Sequence, residues 1–216
     1  GWIGLTEMVE RLEATLDTMQ ALPRFRGHFF NWYDTHTLDP LNPQYISSVD
    51  SGNLAGHLLA LASACQEMTR TPIFTAMHLA GIRDSVWLLR EAIQAERDDR
   101  RTLTVNPSQL REGLDDFDQW LIDEPANVAN WSTRWHELDI RAATLLDLAE
   151  TFAEERGDAE HSEVLAWART IRSDVASHLR DLPLYSPALA AVSRNKSPAV
   201  TGDADALSTM AYTLLV

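Results

Sequence analysis

Apolar residues recur at spacings of three and four along nearly the whole chain, and prolines and helix-capping residues interrupt that recurrence at intervals. Such a period puts one face of a helix into a core and commits the chain to helix-on-helix packing. Leu5, Met8, Val9, Leu12, Leu16 and Met19 predict a helix over residues 5–21, closed by Pro23. A second starts after Asp50-Ser51 and runs to about Met68, with Leu54, Leu58, Leu61, Ala62 and Cys65 as its inner face. A third, about 73–97, shows Met77, Ile82, Val86, Leu89 and Ile93, and the charged run Glu96–Arg101 forms its solvated end.

Asn106-Pro107-Ser108 signals the start of a fourth helix, with Leu110, Leu114, Phe117 and Leu121 inward and Pro125 as its stop. From about Trp131 the fifth carries Trp135, Leu138, Ala142, Leu145, Ala149 and Phe152, up to a left-handed cap at Gly157. Val164, Leu165, Ala168, Ile171, Val175 and Leu179 mark a sixth over 159–182, before Pro183. Period-two alternation is almost absent. The expected fold is all-α: about six long helices in one antiparallel array forming a single helical domain over 1–216. An irregular tail ends in an apolar patch, Leu207–Val216. An apolar ending without a polar tail predicts a piece of something longer.

Acidic residues outnumber basic ones 32 to 18, a net charge of −14 that repels phosphate backbones and anionic lipid. Nucleic acid is therefore not an expected partner. No apolar run is long enough to span a membrane, and the N-terminal residues do not read as a signal peptide. The single cysteine, Cys65, excludes an internal disulfide and reads as a small buried hydrophobe. His136-Glu137 lacks a second histidine four residues on, so neither a metal nor a cofactor is expected.

One segment breaks the helical period. Residues 24–50 read as an ordered, aromatic-rich loop with a turn at Asn42-Pro43 and a short strand at Tyr45–Val49. It and the next turn of chain gather Arg24, Arg26, His28, Asn31, Trp32, Tyr33, Asp34, Tyr45, Asp50, Ser51 and Asn53. That mixture suits sugar: aromatic faces stack on the C–H surface of a pyranose, and carboxylates and amides fork onto neighbouring hydroxyls. It equally suits an irregular connection whose aromatics fill gaps and whose polar groups satisfy backbone. Asp34 and Asp50 are candidates for the carboxylate pair that glycoside chemistry uses, although Asp50 in a Ser-rich run also reads as a helix cap. Of the seven tryptophans, only Trp32 falls in the loop; Trp87, Trp120, Trp131, Trp135 and Trp167 read as core or interhelical filling.

RGHFFNWYDT, a spacer containing Leu38 and Pro40, and SSVDSGNLAGHL together resemble a signature of the cyclic beta-1,2-glucan synthases, dense over residues 22–60 and general elsewhere. Those are large, membrane-embedded bacterial proteins with three activities in one polypeptide: a glycosyltransferase, a middle glycoamylase-like region that closes the glucan into a ring, and a phosphorylase-like region. The resemblance is to the start of the middle region. It implies an (α/α) barrel type of fold, a retaining transglycosylation, beta-1,2-linked glucan and the parent's other domains as partners, and a place on the cytoplasmic face of the inner membrane. By position in the motif, Trp32, Tyr33, Asp34, Asp50, Ser51 and Asn53 become substrate-contact candidates, with Arg26 and His28 as second-tier ones. The two catalytic glutamates are expected outside this stretch, so an isolated piece is expected to be inactive. A helical scaffold without catalysis and a glycoamylase-like hydrolase are the alternatives.

Overall fold

The computed structural model describes residues 1–96, 104–122, 125 and 128–185. Its elements are α1 (Leu5–Ala21), β1 (Arg24–Phe25), β2 (His28–Phe29), α2 (Ser48–Met68), α3 (Ala76–Ala95), α4 (Pro107–Gln119), α5 (Val128–Arg156), α6 (Glu163–Leu179) and α7 (Asp181–Tyr185). The protein is mostly α, with six long helices and one short one among the described residues. The expected apolar patch at Leu207–Val216 lies outside them, as does most of the charged run after Glu96. The described residues group into two compact units, one of Gly1–Glu7 with the described residues from Ile73 onward, the other of Met8–Pro72.

In the first unit, α3, α4, α5 and α6 each pack on the next, and α6 packs back on α3, so four helices close around one core. Side-chain pairs show each neighbour running the opposite way. Arg83 reaches the Leu121 carbonyl while Arg90 meets Asp115 and Asp118, so α4 numbers fall as α3 numbers rise. Arg134 to the Trp120 carbonyl and Arg141 to Asp116 give the same sense for α4 and α5. Arg172 with Asp139 and Arg169 with Glu150 do so for α5 and α6. Ser85 with Asp174 and His78 with His178 close the cycle.

The helices begin and end where local chemistry satisfies their free backbone groups. Asn106 and Gln109 bond each other's backbone amides at 3.0 Å, with Pro107 in the first turn of α4, where a missing N–H costs nothing. Gly157, at φ +71°, ends α5: its amide reaches the Glu154 carbonyl and that of Asp158 the Ala153 carbonyl, a Schellman cap. Ser162 caps α6 by accepting from the Leu165 amide. The expected sixth helix is divided at Arg180, and Pro183 lies inside the first turns of α7, where its missing donor is not needed.

The core includes Ile82, Val86, Leu89, Ile93, Leu110, Leu114, Phe117, Trp135, Leu138, Leu145, Phe152 and Ile171, all at most 2% exposed. Two expected inward residues are corrected: Met77, 75% exposed on the first turn of α3, and Trp87, 57% exposed on its outer face. The first residues of α1 are tied into this unit by polar groups. Asp181, itself buried, accepts from the amides of Leu5 (2.7 Å) and Thr6 (3.0 Å) and from the Thr6 hydroxyl (2.6 Å), so a carboxylate from α7 caps the N-terminus of α1.

The second unit contains the rest of α1, the loop and α2. Neither α1 nor α2 buries a residue. The inner face expected for α2 is half-buried at best: Leu54 and Leu61 are intermediate, Leu58 is 36% exposed, and Cys65 is exposed. Cys65 as a buried hydrophobe is therefore corrected. A helical period identifies an apolar face, and whether anything covers that face is decided elsewhere. The expected strand at Tyr45–Val49 is also corrected, because Ser47 accepts from the Asp50 amide and starts α2 at Ser48. The strands lie earlier. β1 and β2 pair antiparallel, Arg24 with Phe29 and Phe25 with His28, through a two-residue turn at Arg26-Gly27. Positive φ at both, +51° and +88°, is the type I′ combination that matches strand twist.

Candidate functional site

The 24–57 region is built around Asn31. Its amide N–H donates to the Tyr45 carbonyl (2.9 Å), its side-chain oxygen accepts from the Ser47 amide (3.0 Å), and its side-chain nitrogen donates to Asp50 Oδ2 (3.0 Å). One residue thus ties the hairpin side of the loop to the chain at Tyr45–Ser47 and to the first turn of α2. A carboxylate or an aliphatic residue lacks the donor and acceptor this needs. Sequence reading placed Asn31 in the cluster without a role. The signal available was its amide, flanked by aromatics in a loop with no period.

Asn31 and Asp50 open onto a cleft of about 250 Å³ together with Phe29, Phe30, Ser51 and Leu54. Its lining thus combines three apolar residues with an amide, a carboxylate and a hydroxyl. Asp50 is exposed and sits in the first turn of α2. Ser51 donates its hydroxyl proton to the Ser47 carbonyl (2.9 Å), so the 3.0 Å contact from His28 Nδ1 is a ring N–H donating to Ser51 Oγ. His28 therefore holds Ser51 from the hairpin side, and Ser51 is not an activated nucleophile.

The other predicted residues fall in different places. Tyr33 turns its hydroxyl inward, donating to the Pro23 carbonyl (2.8 Å) and accepting from the Phe30 amide (2.8 Å), with its ring edge-on to Phe30. Asp34 Oδ1 accepts from the amides of His36 (2.8 Å) and Thr37 (2.9 Å). Those bonds form the 34–39 turn and hold the carboxyl below the usual carboxylate range. Neither lines the cleft, so the structure does not bring Asp34 and Asp50 together around it as an acid and nucleophile pair. Asn53 is exposed one turn into α2, with its carbonyl bonded to His57 Nδ1. Arg26 occupies the hairpin turn with its guanidinium over the Phe25 ring (5.3 Å). Trp32 stands outside the cleft, stacked on Tyr45 with centroids 6.1 Å apart.

Among the described residues no group of three or more His, Cys, Asp or Glu side chains is placed to hold a metal, and no helix is long and apolar enough to cross a membrane. The arrangement is a small, half-apolar cleft with one carboxylate held by Asn31.

Cyclic beta-(1,2)-glucan synthase NdvB of Rhizobium meliloti (strain 1021) is 36% identical to this chain over 182 residues, 84% of its length. The chain is homologous to part of a cyclic beta-1,2-glucan synthase. The resemblance carried by the loop is thereby borne out, and the matched residues extend far beyond the motif into the helices. The chain spans only 6% of that synthase's length. No family model matches it.

Proposed function

We propose that this segment of a cyclic beta-1,2-glucan synthase holds glucan for the step that closes the linear chain into a ring, a retaining transglycosylation. In this reading the Asp50 cleft receives a glucose unit. Phe29, Phe30 and Leu54 meet the C–H face, while Asp50, Asn31 and Ser51 take the hydroxyls. The observation that carries it is the carboxylate held by Asn31 in a half-apolar cleft of about 250 Å³. The nucleophile and acid/base belong to other parts of the synthase, working on the cytoplasmic face of the bacterial inner membrane. The segment therefore binds, and cleavage lies elsewhere. Trp32, and secondarily Asn53, extend the contact surface, whereas Tyr33, Asp34, Arg26 and His28 shape the loop.

The test is product analysis by mass spectrometry in a full-length synthase carrying this segment. Asp50→Ala is expected to lower the ratio of cyclic to linear glucan by about tenfold, the loss of one hydrogen-bonded charged contact. An unchanged ratio with normal protein levels overturns the proposal. Tyr33 and Asp34, spent on the loop's own backbone, favour a second reading: a scaffold that orients neighbouring domains. It predicts that Asp50→Ala lowers protein stability and leaves activity per folded molecule intact. A glycoamylase-like hydrolase would instead release shortened linear products.

A further inference from the structure

Trp32 and Tyr45 are 55% and 53% exposed, yet both are fixed. Their rings stack on each other with 29° between planes. The Trp32 carbonyl accepts from the Leu41 amide (3.0 Å), the Tyr45 carbonyl accepts from the Asn31 amide (2.9 Å), and Tyr33 bridges to Pro40. Leu41 beside them is 46% exposed. About half of each residue's surface stays in water despite the stacking, and an exposed apolar patch of this kind marks a contact surface. Its preorganisation means that a ligand has little ordering to impose.

The position of the pair matters as much as its exposure. Asn31, which lines the cleft, donates its backbone amide to the Tyr45 carbonyl, and Trp32 is the next residue. Cleft and aromatic pair are thus linked through the backbone of one residue, and a polymer with one unit in the cleft would carry its next units toward the rings. The chain's charge of −14 disfavours an anionic polymer there. A flat C–H face with hydroxyls around its rim, the pyranose of a neutral glucan, fits both the rings and the charge.

We infer that Trp32 and Tyr45 form a second carbohydrate contact, a stacking platform that holds glucan units beyond the one in the Asp50 cleft; this rests on the sugar-binding reading of that cleft. The platform makes affinity depend on chain length.

The test is calorimetric titration of the 216-residue chain with two probes, the beta-1,2-linked glucose disaccharide and a linear beta-1,2-glucan of many units. Trp32→Ala and Tyr45→Ala are each expected to weaken the long glucan about tenfold and to change the disaccharide less than about twofold. Trp32→Phe, which keeps a ring, is expected to recover most of the loss, which separates stacking from folding. Equal affinity of the alanine variants and the parent for the long glucan overturns the platform, as does equal weakening of both probes. Asp50→Ala serves as the separate arm, expected to weaken both probes. If it weakens neither while Trp32→Ala still weakens the long glucan, the cleft reading fails and the platform stands.

Discussion

The bundle and the loop unit hold themselves together by different means. Among the described residues of the bundle, 25 hydrophobic residues are buried, and Leu89, Ile93, Leu110, Leu114, Phe117, Trp135 and Leu138 are fully inaccessible. In Met8–Pro72 neither helix buries a residue, and the loop between them is shaped by Asn31, Tyr33, Asp34 and Ser47 through hydrogen bonds. Burial is the larger stabilising term, and a hydrogen bond exchanged with water contributes about 1 kcal/mol net. The bundle is therefore the stable part. The surface that would touch substrate sits on the part with least burial, where local opening is cheapest.

Truncation in the core should widen this difference most. Trp135 is fully buried, stacked between Trp131 and the His178 ring at centroid distances of 6.0 and 4.8 Å. Trp135→Ala removes that packing and leaves a cavity, at a cost of about 3–5 kcal/mol. Leu59→Ala, at a position 72% exposed on α2, is expected to cost less than about 0.5 kcal/mol. Denaturant unfolding followed by far-ultraviolet dichroism checks both, and similar midpoint shifts would mean that α2 is packed as firmly as α5.

Acidity should act on the bundle through two buried groups that oppose each other. Asp174 is raised to about 6, first by burial and with Glu7 adding repulsion, against the hydrogen bond from Ser85. His178 is pushed down to about 4 by burial among Trp135, His78 and Asp181, with Nε2 donating to the Gly1 carbonyl. The native state binds the Asp174 proton more tightly than the unfolded chain does. Its contribution is full below pH about 4 and is lost as pH rises through about 6. His178 binds its proton more weakly when folded, so its contribution is full above about 6.5 and is lost as pH falls through about 4. Each is worth on the order of 3 kcal/mol, and over pH 4–6 they nearly cancel. Asp174→Asn is expected to leave a stability that falls on acidification from pH 6.5 to 4, and His178→Gln one that falls as pH rises from 4 to 6. Slopes matching the parent protein in both variants would show that neither group titrates across this range.

The same contrast explains what could be read from the sequence. In α3 to α6 the apolar period and the core coincide, and Asn106-Pro107 and Gly157 mark termini by chemistry that is local in sequence. In α1 and α2 the period gives equally clear helices, yet Cys65 and Leu58 face outward, because coverage depends on chain that period does not describe. The hairpin escaped because Arg26, not the usual Asn or Asp, takes the first left-handed position before Gly27. Within the loop, Asp50 and Ser51 line the cleft, whereas Asp34, expected among the sugar contacts, spends its carboxylate on the amides of His36 and Thr37 in a turn that no period signals. Asn31 stayed without a role since its three partners are 14 to 19 residues away and meet only once the loop folds.

Two glycines give the finest comparison, because they pose one problem in both units. Gly27 at φ +88° and Gly157 at φ +71° both require the left-handed region, and an added Cβ at either meets nothing within 4 Å. Alanine at each position therefore brings backbone strain without a clash, about 1 kcal/mol. At Gly157 that strain loosens the cap joining α5 to α6 and should appear as a lower global unfolding free energy. At Gly27 it acts on a two-residue hairpin in the unit with little burial. Gly27→Ala should leave global stability within about 0.3 kcal/mol and speed amide exchange only around Phe25–Phe29. A full 1 kcal/mol global loss from Gly27→Ala would show that the loop unfolds with the bundle, and the separation of the two units in stability would then have to be abandoned.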